Sequence, residues 1–476
     1  MDNHLQRLKS FQVVELCEDS RRAGPQRAFV AVPPATLGSR DGRDYAHSAL
    51  ELGAPLVLGE GEAPPGFPPD RWLRCEPIRQ LYPRLAAALA GNPSAALSLV
   101  GVTGTDGKTS VSWLLSHLLE LLDGQPCGQI GTLGWRWGQE RRPSDFTTPP
   151  AAQLQPGLSE MVSDGVQAAV MEVSSHAIVL GRVEQLDFSV AALTTLGRDH
   201  LDFHGDLASY HGVKKSFLAA QSRHCRLVLP VGVSIDLPAQ QSVIRVGSGG
   251  DFYQQRMGPQ TWRLHTPSGV VDRRLPLHAD FQVDNLLTAL AIAHGLGRSL
   301  DDLLPLCSEL PPIPGRLEAV MPGAVVDFAH TPEALTTLHQ QLRPATSGRL
   351  ITVFGCGGDR DQGKRPAMAR AVEQSADLII LTSDNPRSED PEVILDQTQA
   401  GFTAAPLDAD QLTSDSQGWL RVTDRREAIA LAWRQRQPHD LVLVAGKGAE
   451  THQEIKGQRH PFDDRQELRR LMERPC

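Results

Sequence analysis

The sequence predicts an α/β protein of three domains, and three observations support this prediction. The 476 residues are too many for a single hydrophobic core. Short apolar runs alternate with helical patterns along most of the chain, which is typical of largely parallel sheets. Turn-rich breaks at residues 91–94 and 311–316 interrupt this alternation. We therefore expect domains at residues 1–93, 94–316 and 317–476.

The composition excludes several classes of protein. The chain has 47 Lys and Arg against 56 Asp and Glu, which gives a formal charge of −9. It therefore lacks the positive electrostatic field that would attract nucleic acids. No apolar stretch approaches the ~18 residues that a membrane span requires, and residues 1–12 lack the apolar segment of a secretory signal. Seven scattered cysteines without a Cys-x-x-Cys pair suit free thiols. We expect a cytoplasmic monomer that does not bind nucleic acid and has no membrane span.

A glycine-rich loop follows the first apolar run of the second domain, residues 97–102. The loop reads Thr103-Gly104-Thr105-Asp106-Gly107-Lys108-Thr109-Ser110, and an amphipathic helical pattern comes next. Glycines let backbone N–H groups approach phosphate oxygens, the helix N-terminus favours an anion, and a threonine hydroxyl can bind Mg²⁺. The strict P-loop spacing would require glycine at Val102, so this loop is a variant. It predicts a central P-loop ATPase-like parallel sheet that binds ATP.

Two further polar clusters follow later strands of the same domain. Glu172 comes after the apolar run at residues 168–170, and His200 comes after the run at residues 190–194. A lone glutamate or histidine is more often solvated than metal-bound, but clusters at the ends of successive parallel strands meet at one edge of a sheet. Lys214 lies 14 residues beyond His200, although the adjacent Lys215 fits equally well by composition.

The C-terminal third predicts a Rossmann-like domain. Apolar runs at residues 324–326, 350–354, 378–381 and 441–444 alternate with helical patterns. Polar strings follow these runs, namely Asp327-Phe328-Ala329-His330-Thr331-Pro332, Phe354-Gly355-Cys356-Gly357-Gly358-Asp359-Arg360-Asp361, Asp384-Asn385-Pro386-Arg387 and Gly446-Lys447-Gly448-Ala449-Glu450. Their mixture of guanidinium, carboxylate and amide groups suits recognition of a zwitterion.

Together these strings resemble the Mur ligase family, which also includes folylpolyglutamate synthases. The resemblance extends over essentially the whole chain, from Asp19 to Asp464. It implies an ATP-dependent, Mg²⁺-requiring ligase of peptidoglycan precursor synthesis. Such an enzyme adds an amino acid to UDP-N-acetylmuramoyl-L-alanyl-D-glutamate through an acyl phosphate.

The resemblance also implies roles for individual residues. Catalytic residues would be Lys108, Glu172, His200 and Lys214. ATP would contact Gly104 to Ser110 together with Asn285, Arg316, Asp327 and His330. Mg²⁺ would be held by Thr109, Ser110, Glu172, His200 and a carbamate on Lys214. The UDP-substrate would contact Ser20, Thr147, Thr148, Ser174 and Arg182. The amino acid would contact Arg360, Asp384, Asn385, Pro386, Arg387, Gly446 and Glu450.

The string Asp384-Asn385-Pro386-Arg387 accompanies meso-diaminopimelate in this family, whereas lysine-adding enzymes lack the arginine. Diaminopimelate carries one carboxylate more than lysine, so a second guanidinium is the expected discriminator. We therefore predict that the chain adds meso-2,6-diaminopimelate.

Two alternatives remain open on the sequence. One is a sister ligase, either lysine-adding or similar to folylpolyglutamate synthase. The other is a catalytically weak nucleotide-binding paralogue, which four departures from the family pattern make conceivable: Asp106, Thr195, Gln282 and Ala449. No residue stands out as a general base for the incoming amine.

Overall fold

The computed structural model describes residues 1–34, 40–408, 410 and 412–473. The N-terminal part contains a four-stranded parallel sheet in the order β1-β2-β3-β4. Its strands are β1 (Glu15–Cys17), β2 (Arg27–Ala31), β3 (Val57–Gly59) and β4 (Trp72–Arg74), and its helices are α1 (Asp2–Ser10), α2 (Ala46–Glu51) and α3 (Ile78–Leu89). Buried side chains of the sheet and of α3, among them Leu16, Val30 and Tyr82, form one core of this part.

The central part is built on an eight-stranded sheet in the order β12-β11-β10-β5-β9-β6-β7-β8, of which only β7 and β8 pair antiparallel to their neighbours. The strands are β5 (Ser98–Thr103), β6 (Cys127–Gly131), β7 (Gly134–Trp137), β8 (Glu140–Arg142), β9 (Ala168–Glu172), β10 (Val190–Leu193), β11 (Arg226–Pro230) and β12 (Val243–Val246). A separate antiparallel sheet follows, with strands β13 (Tyr253–Gly258), β14 (Thr261–Thr266) and β15 (Gly269–Arg274).

Helices cover both faces of the central sheet, which explains why its inner strands are continuously apolar. These helices are α4 (Lys108–Asp123), α5 (Ala151–Ser163), α6 (Ser175–Val179), α7 (Leu201–His204), α8 (Leu207–Ala219), α9 (Asp280–Gly295) and α10 (Leu300–Leu306). On one face Leu114 and Leu118 of α4 share a core with Leu287 of α9. On the other face Leu158 of α5 and Phe217 of α8 share a second core.

The C-terminal part contains a six-stranded sheet in the order β16-β17-β21-β18-β19-β20, parallel except for the edge strand β16. Its strands are β16 (Glu318–Met321), β17 (Ala324–Asp327), β18 (Leu350–Phe354), β19 (Leu378–Leu381), β20 (Gly418–Arg421) and β21 (Leu441–Ala445). Its helices are α11 (Pro332–Leu342), α12 (Lys364–Glu373), α13 (Pro391–Gln399), α14 (Arg425–Gln435) and α15 (Asp464–Glu473), and a hairpin of β22 (His452–Ile455) and β23 (Gln458–Pro461) lies between β21 and α15.

Local sequence explains where these elements begin. Helix α11, for example, starts with Pro332 at its first position, and the Thr331 hydroxyl accepts a hydrogen bond from the backbone N–H of Ala334 at 3.2 Å. The predicted α/β fold with parallel sheets is confirmed. We keep residues 93/94 and 316/317 as the proposed domain boundaries. Across the described ranges, none of the helices combines the length and the apolar character needed to cross a bilayer.

Candidate active site

One cavity of about 910 Å³ lies between the central and C-terminal parts of the molecule. The carboxyl ends of the central strands face the carboxyl ends of the C-terminal strands across it, as expected for ligand sites of open parallel sheets. Nineteen of the predicted site residues line it: Thr105, Asp106, Gly107, Lys108, Thr109, Ser110, Thr147, Glu172, His200, Asn285, Arg316, Asp327, His330, Arg360, Asp384, Asn385, Arg387, Gly446 and Glu450. The other seven, Ser20, Gly104, Thr148, Ser174, Arg182, Lys214 and Pro386, are not part of its lining.

The glycine-rich loop connects β5 to α4 and requires glycine for steric reasons. Gly107 precedes α4 with φ of 88°, in the left-handed region that glycine favours. A Cβ on Gly104 would lie 1.9 Å from the Thr194 hydroxyl oxygen. Lys108 Nζ donates to the carbonyl oxygens of Gly104 and Thr105 at 2.9 and 2.8 Å. The loop therefore presents backbone N–H groups and one fixed cation to the cavity, a suitable arrangement for polyphosphate.

Two of the unusual residues, Asp106 and Thr195, contact each other. The Thr195 hydroxyl accepts a hydrogen bond from the Asp106 backbone N–H at 2.9 Å, and the Thr194 hydroxyl donates to the Asp106 carbonyl oxygen at 2.5 Å. The side chain of Asp106 is exposed toward the cavity. The segment after β10 thus holds the loop through its backbone, and the Asp106 carboxylate remains solvated.

Glu172 ends β9 and is fully buried beneath the phosphate loop. One carboxylate oxygen accepts from the hydroxyls of Thr109 and Thr132 at 2.9 and 3.1 Å, and the other accepts from the Thr132 backbone N–H at 2.9 Å. All three donors are neutral. A carboxylate and a threonine hydroxyl in contact form the kind of oxygen donor set that Mg²⁺ prefers.

His200 also lines the cavity, and its Nε2 lies 3.3 Å from an Asp199 carboxylate oxygen. Burial holds the pKa of His200 below its usual range, against the opposing effect of Asp199. A neutral imidazole can serve as a metal ligand. Among the described residues, no group of three or more His, Cys, Asp and Glu side chains is arranged to hold a metal ion.

Lys214 on α8 is buried behind the loop, whereas Lys215 is partly exposed. The Lys214 Nζ donates to the Gly104 carbonyl oxygen at 2.9 Å and lies 4.4 Å from the centre of the Tyr210 ring. Burial, assisted by the nearby charge of Lys108, lowers the pKa of Lys214 to about 6. Within the described part of the chain, no carboxylate lies within 4.0 Å of its Nζ. The amine is therefore largely neutral at pH 7 and can act as a nucleophile.

The residues predicted for the UDP-substrate separate into three groups. Thr147 lines the cavity, and its hydroxyl lies 3.3 Å from that of Thr132. A second group behind Thr147 consists of Thr148, Ser174 and Arg182. The Thr148 hydroxyl donates to the Glu172 carbonyl oxygen and accepts from the Ser174 N–H, each at 2.9 Å. Arg182 donates to the Thr148 carbonyl oxygen at 2.8 Å. Ser20 lies apart, in a short turn of the N-terminal part.

On the opposite wall, Arg316 connects the central part of the molecule to the C-terminal part. The Arg316 guanidinium donates to the Thr109 hydroxyl at 3.2 Å and lies 4.1 Å from the centre of the Phe328 ring. The Asp327 carboxylate accepts from the backbone N–H groups of Leu317 and Ala329 at 2.6 and 2.7 Å. Asp327 therefore fixes the segment that carries Arg316.

Asp384 provides a buried carboxylate oxygen without a partner in the described structure. Its Oδ1 accepts from the Asn385 N–H at 2.7 Å, and its Oδ2 lies 2.7 Å from where a Cβ on Gly446 would be. Burial raises the pKa of Asp384, but the cations Lys447 and Arg425 outweigh it, and the pKa lies below its usual range. An ionised oxygen in this position is well suited to accept from an ammonium group.

The Asn385 side chain links three neighbouring groups of the C-terminal sheet. Its amide nitrogen donates to Glu450 at 2.8 Å, and its amide oxygen accepts from Lys447 Nζ at 2.9 Å and from the Glu454 N–H at 3.0 Å. Lys447 is fully buried and also lies 2.8 Å from the Glu450 carboxylate. This network orients the Glu450 carboxylate, which is the second carboxylate on this wall beside that of Asp384.

Two arginines complete the wall. Arg387 has φ of 52°, donates to the Gly358 carbonyl oxygen at 2.7 Å, and has its Nε 3.6 Å from a Glu454 carboxylate oxygen. Arg360 is exposed on the cavity wall, and in the described chain its guanidinium has no ion-pair partner. Cations and carboxylates thus alternate here, as a ligand with both signs of charge requires.

Sequence reasoning did not identify Thr132, Lys447 or Glu454 as site residues. Thr132 follows directly after β6, so the rule that placed Glu172 at a strand end could have found it. Lys447 lies inside a string that was recognised. Glu454 is on an exposed hairpin without an apolar pattern, and no sequence signal indicates it.

The chain is similar to known proteins both in sequence and in structure. Residues 102–293 match the model of the Mur ligase middle domain, and residues 315–448 match the model described as Mur ligase, glutamate ligase domain. A UDP-N-acetylmuramoyl-L-alanyl-D-glutamate–2,6-diaminopimelate ligase from Pseudomonas putida is 37% identical over 96% of this chain and 94% of the relative. The protein of the same name from Pseudomonas aeruginosa is 38% identical over 96% and 94%. A solved structure of such a ligase has a TM-score of 0.65 at 32% identity and covers 97% of this chain and 95% of its own.

Proposed function

The chain belongs to the Mur ligase family, and from this premise we propose that it adds meso-2,6-diaminopimelate to UDP-N-acetylmuramoyl-L-alanyl-D-glutamate with consumption of ATP. It is an ATP-dependent ligase of peptidoglycan precursor synthesis. The observation that carries the proposal is that the phosphate loop and the charged C-terminal wall face each other across one shared cavity. Since all of these residues come from one chain, a monomer suffices.

The reaction begins with activation of a poor electrophile. The D-glutamate γ-carboxylate of the acceptor takes the γ-phosphoryl group of ATP, which gives an acyl phosphate and ADP. Lys108 and the loop residues line the cavity, and their N–H groups and cation would neutralise charge on the transferred group. The amine of diaminopimelate then attacks the acyl carbon and phosphate leaves, so that an amide bond replaces the mixed anhydride.

The residues beneath the loop fit Mg²⁺. Thr109, Ser110 and Glu172 would hold it, with His200 from the same cavity lining, because the three hydrogen-bond donors to the buried Glu172 carboxylate are neutral. When bound, Mg²⁺ supplies charge neutralisation for the phosphate oxygens. The protein's own contribution is to keep the Thr109 hydroxyl and the Glu172 carboxylate in contact.

We propose that Lys214 carries a carbamate. Its amine adds to CO₂ and releases one proton, which converts a buried nitrogen into an anion next to the loop. The buried position beside the Gly104 carbonyl oxygen and the low pKa support this assignment, since only a neutral amine reacts.

The C-terminal wall suits the two ends of diaminopimelate. Asp384 and Glu450 accept from ammonium groups, and Arg360 and Arg387 pair with carboxylates. Lysine lacks the second carboxylate and would leave one guanidinium unpaired. This charge count favours diaminopimelate over lysine.

The alternatives are a sister ligase and a weak nucleotide-binding paralogue, and the Asp106–Thr195 contact does not favour the paralogue because it holds the loop in place through the backbone. A phosphate-release assay in which each substrate is omitted in turn separates the possibilities. We expect release only with ATP, the UDP-muramoyl dipeptide and diaminopimelate together. Release with a folate acceptor, or equal release without any acceptor, would contradict the proposal.

A further inference from the structure

The hairpin of β22 and β23 contacts two different substrate regions. In its antiparallel register Glu454 on β22 lies opposite Arg459 on β23. A two-stranded hairpin is only marginally stable alone, so its position depends on what its two strands contact. Each strand makes a charged contact with a different part of the molecule.

On one side the hairpin forms two backbone hydrogen bonds with Arg387. The Arg387 N–H donates to the Glu454 carbonyl oxygen at 2.9 Å, and the Lys456 N–H donates to the Arg387 carbonyl oxygen at 2.6 Å. The Glu454 carboxylate also lies 3.6 Å from the Arg387 guanidinium. Because Arg387 has the left-handed φ of 52°, which is unfavourable for a side chain of its size, these contacts stabilise a backbone that aims the guanidinium at the cavity.

On the other side the hairpin reaches the central part of the molecule. Arg459 donates to the Asp145 carboxylate at 3.0 Å, across 314 residues of sequence. Asp145 directly precedes Phe146 and Thr147, the latter on the cavity wall. We call residues 143–149 the acceptor loop. The Arg182 guanidinium lies 4.5 Å from the centre of the Phe146 ring in this loop.

The four charged groups therefore alternate in sign from one substrate region to the other. Asp145 is paired with Arg459, Arg459 lies opposite Glu454, and Glu454 is close to Arg387. The Arg459–Asp145 pair is exposed, with side chains 59% and 69% accessible, so it contributes only a modest free energy and can form and break readily. Such a contact suits a coupling between sites better than a permanent clamp.

We propose that this hairpin positions Arg387 and couples amino-acid binding to the acceptor loop. Glu454 and Arg459 are positioning residues: binding of the UDP-muramoyl dipeptide orders the acceptor loop, the loop holds the hairpin through Asp145, and the hairpin holds Arg387 for the distal carboxylate of the amino acid. The proposal rests on the functions assigned above to Arg387 and Thr147. Coupling of this kind is reciprocal, so the amino acid also tightens acceptor binding.

The coupling is measured in full-length protein by calorimetry with a non-hydrolysable ATP analogue. The Kd of diaminopimelate is determined with and without saturating UDP-muramoyl dipeptide, and the ratio of the two values is the coupling factor. We expect the wild type to bind diaminopimelate more tightly with the dipeptide present. Arg459→Gln and Asp145→Asn should each reduce the coupling factor by roughly two- to five-fold, the range of an exposed ion pair.

A charge exchange distinguishes coupling from general damage. Asp145→Arg and Arg459→Asp should each reduce the coupling factor, whereas the double exchange should restore most of it. Arg263→Gln is the matched control, since Arg263 and Asp272 form an exposed cross-strand pair at 2.8 Å in the β14–β15 hairpin. Glu454→Gln should weaken diaminopimelate binding with the dipeptide present or absent, and binding of lysine much less.

The proposal is overturned if the wild-type coupling factor is one, if the charge exchange fails to restore it, or if Arg263→Gln lowers it as much as Arg459→Gln. These outcomes differ from failure of the proposed function, in which wild-type protein would not bind diaminopimelate under any of these conditions.

Discussion

Two lysines donate to one carbonyl oxygen at the phosphate loop. Nζ of Lys108 and Nζ of Lys214 each lie 2.9 Å from the Gly104 oxygen. Two ammonium groups this close repel each other, so the more deeply buried one loses its proton more easily. Lys214 is that lysine, and Lys108 remains the cation that faces the cavity.

Replacement of Lys108 by alanine should abolish ATP turnover. The transferred phosphoryl group loses its fixed cation, and loss of one such preorganised group costs roughly 10²- to 10³-fold in rate. Phosphate release by the purified variant measures the effect, with circular dichroism as the check on folding. Near-wild-type release from a folded variant would exclude the assigned role of the loop.

Replacement of Lys214 by alanine should also inactivate the enzyme, and short carboxylates at high concentration should partly restore activity because they replace the carbamate anion. Lys215→Ala is the control and should retain activity. Since the pKa of Lys214 is lowered to about 6, its amine is neutral above that pH, and wild-type turnover should decline as the pH falls below about 6. Full activity of Lys214→Ala, together with loss of activity in Lys215→Ala, would show that Lys215 and not Lys214 carries the carbamate.

At the scale of single elements, helices α14 and α15 are joined by a fully buried ion pair. Arg425 donates to both oxygens of the Asp464 carboxylate at 2.8 and 2.7 Å, and to the Ala445 carbonyl oxygen at 3.0 Å. Ala445 directly precedes Gly446 on the cavity wall. The pair therefore fixes the end of β21 as well as the two helices.

Asp464→Asn should destabilise the C-terminal part by about 3–5 kcal/mol, because it leaves a buried guanidinium without its counter-ion. Hydrogen exchange of the β21 amides is the suitable measurement, since a protein of several domains does not unfold in one step. Asp272→Asn breaks an exposed pair and should change the local stability by no more than about 1 kcal/mol. Equal effects of the two substitutions would contradict this account of the buried pair.

The sequence predicted those strands that are buried on both faces. The predicted runs at residues 350–354 and 378–381 coincide with β18 and β19, because parallel strands covered by helices are continuously apolar. The β13–β15 sheet and the β22–β23 hairpin were not predicted. Their strands are half-exposed and carry charges such as Arg256 and Glu454, so hydrophobic periodicity does not reveal them.

At the scale of the whole molecule, the contacts between distant segments are what the sequence could not provide. Motif strings predicted residues that the fold brings to one cavity, since strand ends meet at the edges of parallel sheets. The burial that supports Lys214 over Lys215 is visible only in the fold, and the contact of Arg316 with Thr109 spans 207 residues. Such pairs depend on how the two large sheets face each other, which local pattern does not determine.

Because the cavity lies between two parts of the molecule, a bound nucleotide should stabilise both. An ATP analogue at 100 times its Kd should contribute about 2.7 kcal/mol to the free energy of unfolding and raise the thermal midpoint. At the analogue concentration used for the wild type, Arg316→Gln should reduce this increase, because Arg316 lines the cavity and connects Thr109 of the central part to Phe328 of the C-terminal part. Differential scanning calorimetry checks this, and an unchanged midpoint shift in Arg316→Gln would contradict the bridging role.

The central claim is that this chain is a ligase with a charged wall selective for diaminopimelate. Its most direct test is a competition in which ATP, the UDP-muramoyl dipeptide and equal concentrations of meso-diaminopimelate and lysine are supplied, and the products are weighed by mass spectrometry. We expect the diaminopimelate product to exceed the lysine product by roughly 30-fold or more, since breaking one buried charged pair costs about 2–5 kcal/mol. Arg387→Ala should narrow that ratio. A predominant lysine product, or a ratio that Arg387→Ala leaves unchanged, would contradict the account.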